Sequence, residues 1–226
     1  AYDHNGDKQE AIDGYLKSIS LNKDYFQSHA NLAFLYKEQG KFSEAITEYN
    51  EALRITPSNT IALFYLAYCY NLNGRTQDAI DTYKKATGAN NNFFDAHYNL
   101  GALYLEKKSY DYAGSEFVEA ARINSTSSQS YLYVGYSYLR LVRTEENLSA
   151  AVTNFQKAIN IRSNYGEAHY FLAVAYDKQE KFTESAQELK IACEQGYFCW
   201  SSATSGSPPM INATNPTQIT TLSTTN

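Results

Sequence analysis

Apolar residues along this chain recur at steps of three and four, and they do so in two kinds of phrase. One kind is AHYNLGALY at 96–104. It returns as SHANLAFLY at 28–36, ALFYLAYCY at 62–70, SYLYVGYSY at 130–138 and AHYFLAVAY at 168–176. The other kind is SEAITEYNEALRI at 43–55, with counterparts starting at 77, 111, 149 and 183 and an earlier copy, QEAIDGYLKSISL, at 9–21. Both have the period of an amphipathic helix. Between the phrases lie short breaks such as Gln39-Gly40-Lys41 and Asn73-Gly74-Arg75. Glycine there suits the left-handed residue that ends a helix. Each unit is therefore expected to be two helices joined by a tight turn.

The first phrase starts at 28, 62, 96, 130 and 168. The steps are 34 residues, with 38 for the last, and a fixed period in this range marks a repeat architecture. Small residues share one place in the first helix (Ala33, Ala67, Gly101, Gly135, Ala173) and one in the second (Ala45, Ala79, Ala113, Ala151). Small side chains let helix axes approach to roughly 8–10 Å. Leu32, Leu66, Leu100, Val134 and Leu172 fill the remaining space, with Tyr36, Tyr70, Tyr104, Tyr138 and Tyr176. Tyr49, Tyr83, Phe117 and Phe155 do so in the second helix. One helix pair cannot bury these faces alone, so successive pairs must stack.

This frame resembles the tetratricopeptide repeat (TPR) family over about residues 1–199. The resemblance implies an all-α, right-handed superhelical solenoid with an extended C-terminal tail. Its parts would be a partial repeat at 1–25, repeats at 26–59, 60–93, 94–127, 128–165 and 166–199, and a tail at 200–226. The chain departs from the family in places. The late proline appears only as Pro57, Ser185 stands where alanine is expected, and four extra residues lie near 143–146. The resemblance further implies a concave groove lined by first helices, protein binding, and no chemistry of its own.

In the family the groove is lined by the second, fifth, ninth and twelfth places of each first helix. Here those places give Phe34 and Lys37; Ile61, Phe64, Tyr68 and Asn71; Asp95 and Tyr98; Leu132 and Tyr136; and Tyr170, Val174 and Asp177. Members that grip the C-terminal carboxylate of chaperones use Lys, Arg and Asn. Asn31 and Asn99 stand here without the matching cations. The groove reads as aromatic, with Phe34, Phe64, Tyr68, Tyr98, Leu132, Tyr136 and Tyr170 as its candidates, and tyrosine is a common hot-spot residue. The competing reading is that several of these are ordinary core between repeats.

Other candidate chemistry is sparse. No P-loop, HExxH, GxSxG or paired-cysteine motif is present. His29, His97 and His169 share one repeat position, but spacing puts them tens of ångströms apart, so they are expected to pack as structural side chains. No catalytic residue, cofactor or metal is assigned. Cys69 reads as a small buried apolar residue. Cys193 and Cys199 flank Gly196 and are either a disulfide pair or two free thiols. Sequons occur at Asn124, Asn147 and Asn212, a number that the abundance of Asn, Ser and Thr gives by chance.

Charge and composition narrow the partners. The chain has 226 residues and a net charge of −5, with no basic stripe for nucleic acid. No apolar run approaches the roughly 20 residues of a membrane span. Residues 201–226 hold 12 Ser or Thr, three Pro and no charge, a composition of disordered or O-glycosylated segments. The chain starts at Ala1 with no signal-like segment, which reads as processed or incomplete. Both array ends read as unfinished: the 9–21 helix leaves Ile12, Leu16 and Ile19 short of a neighbour, and Tyr197, Phe198 and Trp200 follow the last helix uncapped.

The expected function is a non-enzymatic protein-interaction scaffold. It is read as self-associating head to tail into an extracellular or surface assembly, a homo-oligomer or filament, with the tail docked on a neighbour or a groove. The alternative is an intracellular adaptor for an apolar peptide, and a regulatory segment of a larger enzyme stays open.

Overall fold

The computed structural model describes residues 5–141 and 144–197. Within them the chain forms eleven α-helices and no strand. They are α1 (Asn5–Leu21), α2 (Phe26–Glu38), α3 (Phe42–Ile55), α4 (Thr60–Leu72), α5 (Thr76–Ala89), α6 (Phe94–Glu106), α7 (Tyr110–Ile123), α8 (Ser128–Arg140), α9 (Glu145–Ile161), α10 (Gly166–Lys178) and α11 (Phe182–Glu194). The chain divides into two compact units, Ala1–Ala96 and His97–Asn226. It is an all-α helical repeat protein, as its periodicity implies.

The turns after α2, α4, α6 and α10 follow from local hydrogen bonding. In α2 the Lys41 amide donates to the Tyr36 carbonyl at 2.9 Å and the Gly40 amide to Lys37 at 3.0 Å. This is the Schellman arrangement, which needs one left-handed residue. Gly40 (φ 72°) and Gly74 (φ 75°) supply it. Lys108 (φ 57°) and Glu180 (φ 59°) take the same conformation without glycine's freedom. The recurring tyrosine therefore has two tasks. Its carbonyl closes the turn, and its ring receives the cation just beyond: Lys41 on Tyr36 at 5.8 Å, Arg75 on Tyr70 at 4.4 Å, Lys181 on Tyr176 at 5.7 Å.

In the first unit each helix packs on the next from α1 to α5. One buried cluster joins Ala33, Ala45, Ile46, Tyr49, Ala62, Leu66 and Cys69. In the second unit the small residues work as the repeat pattern requires. A Cβ on Gly101 would stand 3.1 Å from the Phe117 ring, and one on Gly135 2.7 Å from the Phe155 ring. The main cluster here joins Leu132, Leu139, Leu148, Ala151, Phe155, Ala158, Tyr165, Ala168, Leu172 and Ala175. The extra residues near 143–146 lengthen the start of α9, which has 17 residues against 14 in α7. Thr144 caps it by accepting from the Asn147 amide, and Glu145 and Glu146 sit in its first turn, where the helix dipole favours acid.

One buried tyrosine is misfitted. The Tyr49 hydroxyl has no hydrogen-bond partner, although Phe117 and Phe155 hold the same repeat place without a hydroxyl. An orphaned buried polar group costs about 1–3 kcal/mol. Tyr49→Phe is therefore expected to raise stability by about 1 kcal/mol in urea denaturation, and a loss of stability would show that the hydroxyl is satisfied in solution.

Candidate functional site

The candidate groove residues separate into exposed and buried sets. In the first unit Phe34 is 39% exposed, while Phe64 and Tyr68 are half-buried. Phe34 meets Tyr65 edge-on at 5.7 Å, and Phe64 packs on Tyr65, Tyr83 and Phe93 at 5.3, 5.7 and 5.1 Å. Lys37 closes this group from within. Its ammonium lies 4.4 Å from the Phe34 ring, 4.9 Å from Tyr65 and 6.0 Å from Tyr68. It also pairs with Glu38 at 2.6 Å.

In the second unit Tyr98 and Tyr136 are half-buried. Tyr98 packs on Phe117 at 5.4 Å and Tyr133 at 6.1 Å, and Tyr136 packs on Phe171 at 5.1 Å. Two candidates are buried in this structure. Leu132 is fully buried and belongs to the core around Phe155. Tyr170 is 5% exposed, covered by Phe171 at 5.5 Å and Tyr197 at 5.6 Å. The fifth place of the helix is buried here, whereas Phe64 and Tyr98 at the same place stay half-buried.

The sequence reading missed those sixth-place rings and one carboxylate. Glu167 stands at the second place of α10, where α4 has Ile61 and α6 has Asp95. It is half-buried, and burial raises its carboxyl above the usual range, with Arg162 opposing the shift. Its charge acts on the hydroxyls of Tyr98, Tyr133, Tyr136, Tyr165 and Tyr197. Burial and then Glu167 push Tyr133 up to about 12. The Tyr98 and Tyr133 hydroxyls share a hydrogen bond. The usable signal in the sequence was a lone acid in a run of tyrosines.

The three repeat histidines are buried and bound to the glutamate 19 residues ahead: His29 with Glu48 at 2.7 Å, His97 with Glu116 at 2.7 Å, and His169 with Glu188. The pairs tie the first helix of a repeat to its second. Among the described residues no group of His, Cys, Asp and Glu could hold a metal ion.

The end residues also divide. Ile12 is buried rather than uncovered, and α1 packs on α2. Ile19 is half-buried, and Leu16 is 45% exposed. Tyr197 folds back on Tyr170, while Phe198 and Trp200 lie outside the described residues. Cys193 is disulfide-bonded, and Cys199, its proposed partner, lies outside the described residues. Cys69 is a free thiol, buried and pushed up to about 12 by that burial. Asn124 is exposed, with its side-chain oxygen accepting from Thr126. Asn147 turns inward and donates its amide to the Leu141 carbonyl at 2.9 Å. Asn212 lies outside the described residues. No described helix is long and apolar enough to cross a membrane.

Residues 31–93 match the sequence profile of the tetratricopeptide repeat family. No curated protein sequence matches the chain. Among solved structures, MamA superposes with a TM-score of 0.69 at 22% identity, covering 75% of this chain and 91% of that one. YrrB, described as a TPR protein with an unusual peptide-binding site, gives 0.72 at 20% identity over 80% and 91%. MamA 41-end from Desulfovibrio magneticus RS-1 gives 0.66 at 19% identity over 76% and 94%. The chain is thus similar to tetratricopeptide repeat proteins, by sequence over residues 31–93 and by fold over about three quarters of its length.

Proposed function

We propose that this chain is a protein-interaction scaffold that docks peptide segments on the aromatic faces of its first helices. The observation that carries this reading is the display of large rings beyond what the core needs. Phe34 and Ile61 are exposed in the first unit, with Tyr68 half-exposed beside them. Tyr98, Tyr133 and Tyr136 stand half-exposed in the second. Rigid amphipathic rings of this kind give contact area at low entropic cost, and the similarity to YrrB supports peptide binding as the mode.

The test is selection from a random-sequence peptide library, followed by the double variant Phe34→Ala/Tyr68→Ala and the single variant Tyr136→Ala. Enriched peptides should bind one of these variants at least tenfold more weakly, since a hot-spot ring contributes about 2 kcal/mol or more. Equal binding to both variants, or no enrichment, overturns the reading.

A second reading is self-association through α1, whose Leu16 and Leu21 are 45% and 80% exposed. Head-to-tail contact of this kind propagates into open filaments unless its rotation closes a ring. Light scattering at micromolar concentration that returns the mass of one chain removes it.

A further inference from the structure

We propose that the tyrosine-rich surface around Glu167 receives a lysine or arginine side chain of a second protein. The inference rests on the scaffold reading and names what one of its docking faces selects.

That surface is built by packing. Gly166 opens α10 and has no side chain because Tyr197 occupies the space: a Cβ there would be 2.6 Å from the Tyr197 Cβ. The Tyr197 amide donates to the Ala192 carbonyl at 3.0 Å, which fixes the ring beside Tyr170. Tyr98 and Tyr133 are both held by Phe117, at 5.4 and 5.0 Å. Glu167 follows Gly166 in the first turn of α10, half-buried, near enough for its charge to act on the Tyr98, Tyr133 and Tyr197 hydroxyls, with no hydrogen bond or ion pair to any described residue. The neighbouring cation, Arg162, is committed elsewhere. Its guanidinium lies 4.8 Å from the Tyr165 ring and donates to the Asn164 carbonyl at 3.1 Å.

A partly desolvated carboxylate without a partner is costly, and the cost is removed when a cation enters. Ring faces favour the same guest, and the attraction strengthens as water is excluded. An acidic peptide would meet repulsion, and a purely apolar one would bury the carboxylate further. The first unit shows the combination already filled from within: Lys37 sits over Phe34 and Tyr65 and pairs with Glu38. In the second unit no described residue is recorded in that part. Residues 198–226 contain no Lys, Arg or His, so the C-terminal segment cannot supply the charge.

Library selection on the intact chain provides the test. Enriched peptides should carry Lys or Arg at one fixed position. The best of them should bind Glu167→Gln about tenfold more weakly, the loss of one charge-assisted contact, and its own Lys→Gln counterpart should no longer distinguish the two proteins. Glu184→Gln, which removes the same charge at an exposed site on α11, should bind like the parent. Glutamine keeps the shape of Glu167, and unchanged circular dichroism confirms that the variant is folded. Enriched peptides without a basic residue, or equal loss in both variants, overturn the inference and leave the scaffold reading standing. No enrichment overturns both.

Discussion

Gly135→Leu is expected to lower the stability of the second unit by more than 3 kcal/mol. Even the first added carbon has nowhere to go. It would lie 2.7 and 2.8 Å from two carbons of the Phe155 ring and 3.1 Å from the Ala151 carbonyl oxygen. The ring cannot swing away, because Phe155 is fully buried and stacks on Phe171 at 5.9 Å. The carbonyl belongs to the backbone of α9 and moves only with the helix. Overpacking a core typically costs about 1–3 kcal/mol, so Gly135→Ala should fall in that range and leucine beyond it. Glycine-to-alanine exchange in an unhindered helix gains roughly 0.5–1 kcal/mol. Gly14→Ala in α1, where nothing lies within 4 Å, should therefore move in the opposite direction. Thermal or urea unfolding measures all three. A Gly135→Leu protein as stable as the parent would mean that α8 and α9 do not pack this closely.

Phe117→Ala should cost about 3–5 kcal/mol, the range for removing a fully buried phenylalanine. The ring fills the hollow over Gly101, at 3.1 Å from where a Cβ would stand, and supports Tyr98 and Tyr133. Little around it can collapse inward, since Gly101 has no side chain to offer. Phe182→Ala is the matched control, because that ring is 65% exposed and its loss should change stability by no more than about 0.5 kcal/mol. Repeat arrays fail locally, since each repeat leans on its neighbours. Hydrogen exchange in Phe117→Ala should accordingly rise first in α6, α7 and α8. Uniform loss across all described helices would show that the array unfolds as one body instead.

The repeat period and the alternation of large and small places were legible in the sequence because both follow from helix geometry. A residue such as Gly101 or Ala45 states its neighbour's proximity by its own size. Accessibility was less legible. Leu132 and Tyr170 occupy a place that lines the groove in the family, yet each is covered by rings from its own surroundings, and only packing decides that. Ile12 was read as uncovered for the same reason. The His–Glu pairs escaped because their partners lie 19 residues apart on two helices. No local period reports such a pairing. Glu167 escaped because a single acid on a helix is ordinary, and its significance comes from five tyrosines brought in from other positions.

The wealth of buried phenols sets a limit on the alkaline side. Burial holds Tyr49, Tyr83, Tyr98, Tyr165 and Tyr197 protonated well above the usual phenol range, and Tyr133 to about 12. The unfolded chain releases these protons near pH 10. The folded state then binds more protons than the unfolded one, so stability is full below about pH 10 and drains away above it, by about 1.4 kcal/mol per pH unit for each well-buried phenol and by less for Tyr197, which is 40% exposed and screened by solvent. Ionisation of these phenols is therefore coupled to unfolding in each unit, so alkaline loss of helix should be accompanied by a rise in phenolate absorbance.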